Sequence, residues 1–151
     1  IGVEFISNPA YQMGLISKIM VWDIVSNEIF GSISSAYIRG SLGLIFCFDI
    51  QSRESFGLMK EFYRRVREKS PNNRPSLKMI LIGTKSDLWR TRAVSSKEAA
   101  LWASQRGMQY IEISSKECLN VEMVFRTLID KILSMPHNYY EKYCSEIYSK
   151  R

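Results

Sequence analysis

The sequence predicts an α/β domain with a mostly parallel sheet, an antiparallel hairpin at one edge and helices on both faces. Three observations carry this. Two nearly all-apolar runs, Leu42 to Asp49 and Lys78 to Gly83, have the composition of strands covered on both sides. Stretches with helical spacing stand between the apolar runs, and the first two β-rich segments meet at a glycine, as hairpin strands do. In chain order, Ile1 to Ile6 and Leu15 to Asp23 are the hairpin strands, joined around Gly14, and Glu28 to Tyr37 is a weak helix candidate. After the first apolar run Ser52 starts a helix to about Lys69, in which "EFYRRVREKS" sets Phe62 and Val66 four residues apart with charges between them. The loop "SPNNRPS" follows, with two prolines and two asparagines. Beyond the second apolar run, Ser95 and Glu98 form a capping-box pattern for a helix ending at Gly107. Tyr110 to Ile113 is the next strand, and Asn120 caps a helix reaching Leu133 before Pro136. Strands separated by helices imply parallel pairing with right-handed crossovers. The last residues, "HNYYEKYCSEIYSKR", allow a short helix with Tyr140, Cys144 and Ile147 on one side, although a frayed tail is the expectation.

At 151 residues, 46% hydrophobic and 24% charged, the chain has the apolar material for one ordinary core. Stretches such as "SLGLIFCFDI" are far too short to cross a bilayer, and the first residues show no basic segment with an apolar signal core. Cys47, Cys118 and Cys144 are widely spaced and odd in number, which argues against a disulfide framework or a zinc site and fits a reducing, cytoplasmic setting. The net charge of +6 is concentrated: residues 60 to 92 hold ten Lys or Arg against Glu61, Glu68 and Asp87. Nucleic acid or an acidic membrane could use such a patch. A solvated helix face is the stronger reading, because no aromatic-basic interleaving offers base stacking, and no nucleic-acid partner is expected.

The run "MILIGTKSDL", Met79 to Leu88, turns abruptly polar after its glycine. In open parallel sheets ligands bind outside the carboxyl ends of the strands, where loops and helix N-termini converge. Three strands end there in polar signals: "VWD" at Asp23, "LIGTKSD" at Asp87 and "IEISSKE" at Ser114 to Lys116. A carboxylate beyond a strand offers fixed acceptors to a base edge with adjacent N–H donors, and the aliphatic stem of Lys85 can lie along a flat ring. Such a pair reads guanine. Taken singly each signal is weak, since Asp at a strand end is more often a turn former.

In this order and spacing the segments are more specific. The chain resembles the Rab branch of the small GTPases in "IGVEF" (Ile1 to Phe5), "VWD" (Val21 to Asp23), "AYIRG" (Ala36 to Gly40), "IFCFDI" (Ile45 to Ile50), "GTKSDL" (Gly83 to Leu88) and "SSK" (Ser114 to Lys116). The resemblance implies a partial small-GTPase-like G domain over residues 1 to 135, followed by a tail at 136 to 151. It also implies a switch between GDP and GTP forms, with Mg2+, in vesicle-mediated transport at the cytosolic face of endomembranes. The partners it implies are effectors, an exchange factor and a GTPase-activating protein, with membrane attachment only through a lipidated tail. By the same resemblance Thr84, Lys85, Asp87, Ser114, Ser115 and Lys116 hold the nucleotide, and Asp23 holds magnesium through a water. Ser26 stands at the terminal phosphate and Asn27 where the attacking water is oriented, while Phe5, Trp22 and Tyr37 form an effector-facing cluster. Thr84 stands where Rab proteins usually have Asn, a variant that resembles the Rho branch.

The departures bear on the chemistry. No G-x-x-x-x-G-K-[ST] phosphate loop occurs in these residues, so the family's first strand, phosphate loop and first helix are expected to be missing, and nucleotide binding by the chain alone to be weak or nil. In "WDIVSNE" the family reads W-D-T-A-G-Q-E: Ser26 replaces a glycine that approaches the phosphate, and Asn27 is one methylene shorter than the glutamine. Slow hydrolysis is the expectation. Three readings stay open at this point: a Rab-like GTPase whose sequence is incomplete, a non-catalytic interaction module with a Rab-like surface, and an unrelated α/β nucleotide enzyme reached by chance overlap.

Overall fold

A computed structural model describes residues 3–12, 15–24, 38, 41–69 and 77–136, with side chains described from residue 19 onwards except at 69. The helix expected over Glu28 to Tyr37, the loop at 70–76, the tail with Tyr140, Cys144 and Ile147, and the site residues Ser26, Asn27 and Tyr37 lie outside the described residues. The chain forms two compact units, Ile1–Arg39 and Gly40–Arg151.

In the first unit, β1 (Val3–Gln12) and β2 (Leu15–Ile24) form an antiparallel two-stranded sheet, in register from Val3 opposite Ile24 to Gln12 opposite Leu15. The hairpin is as expected, but β1 runs past Ile6 and through Pro9. Proline lacks the ladder donor, yet a two-stranded ribbon leaves one side of each strand open, so a proline facing that side costs no pairing.

The second unit is built on a parallel sheet of order β3-β4-β5: β3 (Gly43–Asp49), β4 (Lys78–Thr84) and β5 (Gln109–Glu112). Its helices are α1 (Arg53–Lys69), α2 (Ser96–Ser104) and α3 (Val121–Leu133), with a 3-10 helix at Ser86–Thr91. Because side chains alternate along a strand, the sheet has two apolar faces. Ile80, Ile82, Ile111 and Ile113 pack with Val124 and Leu128 of α3 on one of them. Phe46 and Phe48 turn the other way, with Phe48 4.7 Å from Phe56 of α1 and Phe46 5.5 Å from Phe62. Trp102 of α2 closes this side edge-on, 5.2 Å from Tyr63 and 6.1 Å from Phe56. Helices therefore cover both faces. The described strands thus form one two-stranded and one three-stranded sheet.

The helix starts follow local chemistry. The Ser55 N–H donates to Ser52 Oγ (3.0 Å), and the Glu98 N–H to Ser95 Oγ (3.1 Å), which satisfies amides that a first turn leaves orphaned. The capping box is only half made, because the Glu98 carboxylate turns away to take both bonds from Arg53 Nη1 (2.5 and 2.7 Å). Asn120 does not cap α3 with its side chain as expected. It sits in the left-handed region (φ 59°), and its amide instead donates to the Glu112 carbonyl (2.9 Å). The basic face of α1 is solvated and internally paired: Arg64 lies between Glu61 (2.6 Å) and Glu68, and Arg65 meets Glu61 at 2.8 Å, while Val66 is buried. No described helix is long and apolar enough to cross a membrane.

Candidate functional site at the carboxyl edge of the sheet

The buried strands end side by side, Asp49 paired with Thr84 and Gly83 with Glu112, so their following loops leave from one edge. Thr84 ties β4 to β3, its Oγ1 donating to the Phe48 carbonyl (3.1 Å). Lys85 then takes a left-handed conformation (φ 60°, ψ 41°), which costs a side-chain-bearing residue about 1 kcal/mol. That bend starts the 3-10 helix and sends the ammonium back across the strand ends to Asp49, where Nζ lies 2.6 Å from Oδ2. The other Asp49 oxygen accepts the Gln51 N–H (2.8 Å). Burial alone would raise the Asp49 pKa, but the bonds from Lys85 and the Gln51 N–H outweigh it and hold the carboxyl below its ordinary value.

Two residues on, Asp87 Oδ1 accepts a 2.6 Å hydrogen bond from Ser114 Oγ, across from the loop after β5. Ser114 is the one buried polar residue among those described, and its Oγ also accepts the Glu117 N–H (3.2 Å). Ser114 and Leu119 exchange backbone bonds of 3.1 and 2.9 Å, closing a turn on which Ser115 and Lys116 are exposed. Cys118 on that turn is left-handed (φ 53°). The Ser86 N–H donates to the Ile113 carbonyl (3.0 Å), a second tie between the loops, whereas Ser86 Oγ is buried without a partner among the described residues.

The structure thus brings together Thr84, Lys85, Asp87 and Ser114, with Ser115 and Lys116 on the adjoining turn. Asp23, Trp22 and Phe5 belong to the other unit. Asp23 is exposed near the end of β2. Phe5 stands directly opposite Trp22 in the ladder, and Trp22 is 37% exposed, with Met20 exposed on the same face.

Sequence reasoning missed a second cluster behind this edge. The Glu112 carboxylate is gripped by Arg92 through two 2.7 Å bonds and also accepts from Ser96 Oγ (2.7 Å) and the Tyr110 hydroxyl (2.8 Å). The Arg92 bonds pull its pKa down to about 2 against the opposing effect of burial, while burial and the bond to Glu112 push the Tyr110 phenol well up. Gly83 is there for space: a Cβ would lie 2.5 Å from the Tyr110 hydroxyl oxygen and 2.9 Å from Ile50 Cγ2. The available signal was a glutamate standing between Ile111 and Ile113 in a strand.

Two loops held at adjacent strand ends, one presenting a fixed carboxylate and the other an exposed Ser-Lys turn, match the spacing noted in the sequence. Residues 1–134 match the Ras family. The chain belongs to the Ras family. This Ras-family chain is 33% identical to the Ras-related protein RABA2a of Arabidopsis thaliana over 132 residues, 87% of this chain and 59% of the relative. It is 35% identical to the Ras-related protein RGP2 of Oryza sativa subsp. japonica (87% and 59% covered) and 33% identical to the Ras-related protein Rab2BV of Beta vulgaris (87% and 60%). The mixed α/β architecture is that of the family's small-GTPase fold. The chain spans about three fifths of the length of the relatives it matches.

Proposed function

We propose that these residues are the base-reading and partner-facing part of a Rab-type small GTPase that binds GTP and GDP with Mg2+ and acts in vesicle-mediated transport. The observation that carries the reading is the clamped Asp87 carboxylate. Ser114 fixes one of its oxygens at 2.6 Å, and the second has no partner among the described residues. A carboxylate so held accepts from the adjacent N–H groups of guanine, and the Lys85 stem, drawn out to Asp49, provides an apolar rail for the ring. Ser115 and Lys116 complete the edge. Magnesium would be held through a water by Asp23. Ser26 and Asn27, at the positions that meet the third phosphate and orient the attacking water, make hydrolysis slow even in a loaded domain. Without the G-x-x-x-x-G-K-[ST] motif in these residues, binding by the chain alone is weak.

The test is a titration of the chain with millimolar GDP and XDP, followed by amide chemical shifts. GDP shifts residues 84–88 and 114–117, and Asp87→Asn, which replaces an acceptor with a donor, moves the preference towards XDP. If saturating GDP leaves those amides unmoved, or Asp87→Asn leaves the preference for guanine intact, the reading fails.

The hairpin favours a second reading, a non-catalytic interaction module working through its Rab-like effector surface. Its support is the register that sets Phe5 opposite the part-exposed Trp22. Large aromatics at an accessible site are common interface anchors. Effectors are the partner kind proposed for this reading; the GTPase reading adds an exchange factor and a GTPase-activating protein, and membrane contact only if a lipidated tail exists.

A further inference from the structure

We infer that Glu112 is the positioning residue that couples the two loops of the carboxyl edge, so that neither holds its geometry without the other. Its side chain and its carbonyl act on different loops. Through the carboxylate, Glu112 fixes Arg92, the residue that closes the 3-10 helix carrying Asp87, and Ser96, the first residue of α2. Through the carbonyl it takes the Asn120 amide, and Asn120 ends the turn that carries Ser115 and Lys116. The backbone adds to what these bonds must hold. Lys85 and Asn120 flank the two loops, both left-handed without being glycine, and such conformations persist only where surrounding bonds over-determine them. The Arg92–Glu112 pair is suited to the task because the planar fork fixes direction as well as distance and both side chains are mostly shielded from water (19% and 23% exposed). The ring of contacts closes at its far side through the Asp87–Ser114 bond, so the two loops meet both in front of the edge and behind it.

The part of the inference that concerns guanine rests on the proposed function; the coupling does not. Hydrogen exchange on the chain without nucleotide tests the coupling. In Glu112→Gln, amides of Ser86 and Leu88 on one loop and of Ser114 and Leu119 on the other lose protection together, tenfold or more beyond any change at Ile80 to Ile82 in the central strand. Arg92→Lys, which keeps the charge but not the fork, gives a smaller loss in the same two places. Glu98→Gln is the comparison, since it removes the charge that holds Arg53 Nη1 beside Ala93 and should leave Ser114 and Leu119 unchanged. Loss confined to one loop, loss tracking the central strand equally, or no loss overturns the coupling. A GDP titration of the same variants then separates the two ideas. If wild type shows no GDP-dependent shifts, the guanine reading fails while the exchange result still decides the coupling. If wild type responds and Glu112→Gln responds with the same midpoint, Glu112 does not position the base site.

Discussion

Removing the Ser114 hydroxyl is the most direct perturbation of the edge. Ser114→Ala deletes one bond to a carboxylate at 2.6 Å and one acceptor for the Glu117 N–H. Bonds to charged groups are worth about 1.5 to 3 kcal/mol, and a group left buried and unpaired costs a similar amount. Neither partner is left dry in this case: Asp87 is half-buried and Glu117 is exposed, so water takes over part of both roles. The lower end of the range applies, about 1.5 to 2 kcal/mol. For a unit the size of Gly40–Arg151 that corresponds to a fall in Tm of about 6 to 8 °C. Thermal and urea unfolding of Ser114→Ala, Asp87→Asn and the double variant give the coupling between the two groups directly. Equal melting of wild type and Ser114→Ala, or additive single effects in the double variant, would refute the idea that the serine holds the carboxylate.

Four further outcomes follow from the same geometry. Gly83→Ala pushes a methyl into the Tyr110 hydroxyl oxygen and Ile50, and overpacking of this kind costs about 1 to 3 kcal/mol by urea unfolding. Ser86→Ala removes a buried hydroxyl that has no partner among the described residues, so stability should hold or rise by up to about 1 kcal/mol; a loss of more than that shows that the hydroxyl is paired after all. Glu112 has a pKa depressed from 4.5 to about 2, so the stability it contributes is fully present above pH 4.5 and is lost as the pH falls towards 2; Glu112→Gln should flatten that part of the acid unfolding profile, and superimposable profiles would count against the pairing. Trp22→Ala in the hairpin should weaken capture of a helical effector about 30-fold, the equivalent of a 2 kcal/mol anchor, while Tm stays within a few degrees; unfolding, or unchanged capture, makes Trp22 a core residue.

Much of the fold was legible because burial writes itself into local pattern. The runs Leu42 to Asp49 and Lys78 to Gly83 are apolar on both faces since α1 and α2 cover one side and α3 the other, and their ends fall within a residue of β3 and β4. Ser52 was readable as a helix start and Ser95 as a cap because the bond each makes spans only three residues. The resemblance groups Phe5 with Trp22, and the ladder sets the two residues opposite one another. Errors arose where the deciding partner was distant or the backbone unusual. Glu98 had the spacing of a capping box, but Arg53, 45 residues away in sequence, offered its carboxylate a charged nitrogen that bonds both oxygens. Asn120 has the right residue type for an N-cap, but a left-handed backbone turns its amide towards Glu112.

The candidate site divides the same way. Lys85, Asp87 and Ser114 could be named in advance because each lies a fixed few residues past a buried strand, and parallel strands bring such positions to one edge whatever the loops do afterwards. What keeps them in place could not be named, because it is made of pairs that are remote along the chain: Asp49 with Lys85, Arg92 and Ser96 with Glu112, Asn120 with the Glu112 carbonyl. A charged residue in an apolar strand is the one trace such an arrangement leaves in sequence, and Glu112 between Ile111 and Ile113 is that trace. Burying a carboxylate is costly unless its acceptors are filled, so a strand that tolerates one implies donors converging from other elements. Donors reach Glu112 from Arg92, Ser96, Tyr110 and Asn120, and the first and last of these belong to the two loops that carry Asp87 and Lys116. An ionised strand residue behind the carboxyl edge of a parallel sheet therefore points to the loops it fastens, and in this chain those loops form the candidate site.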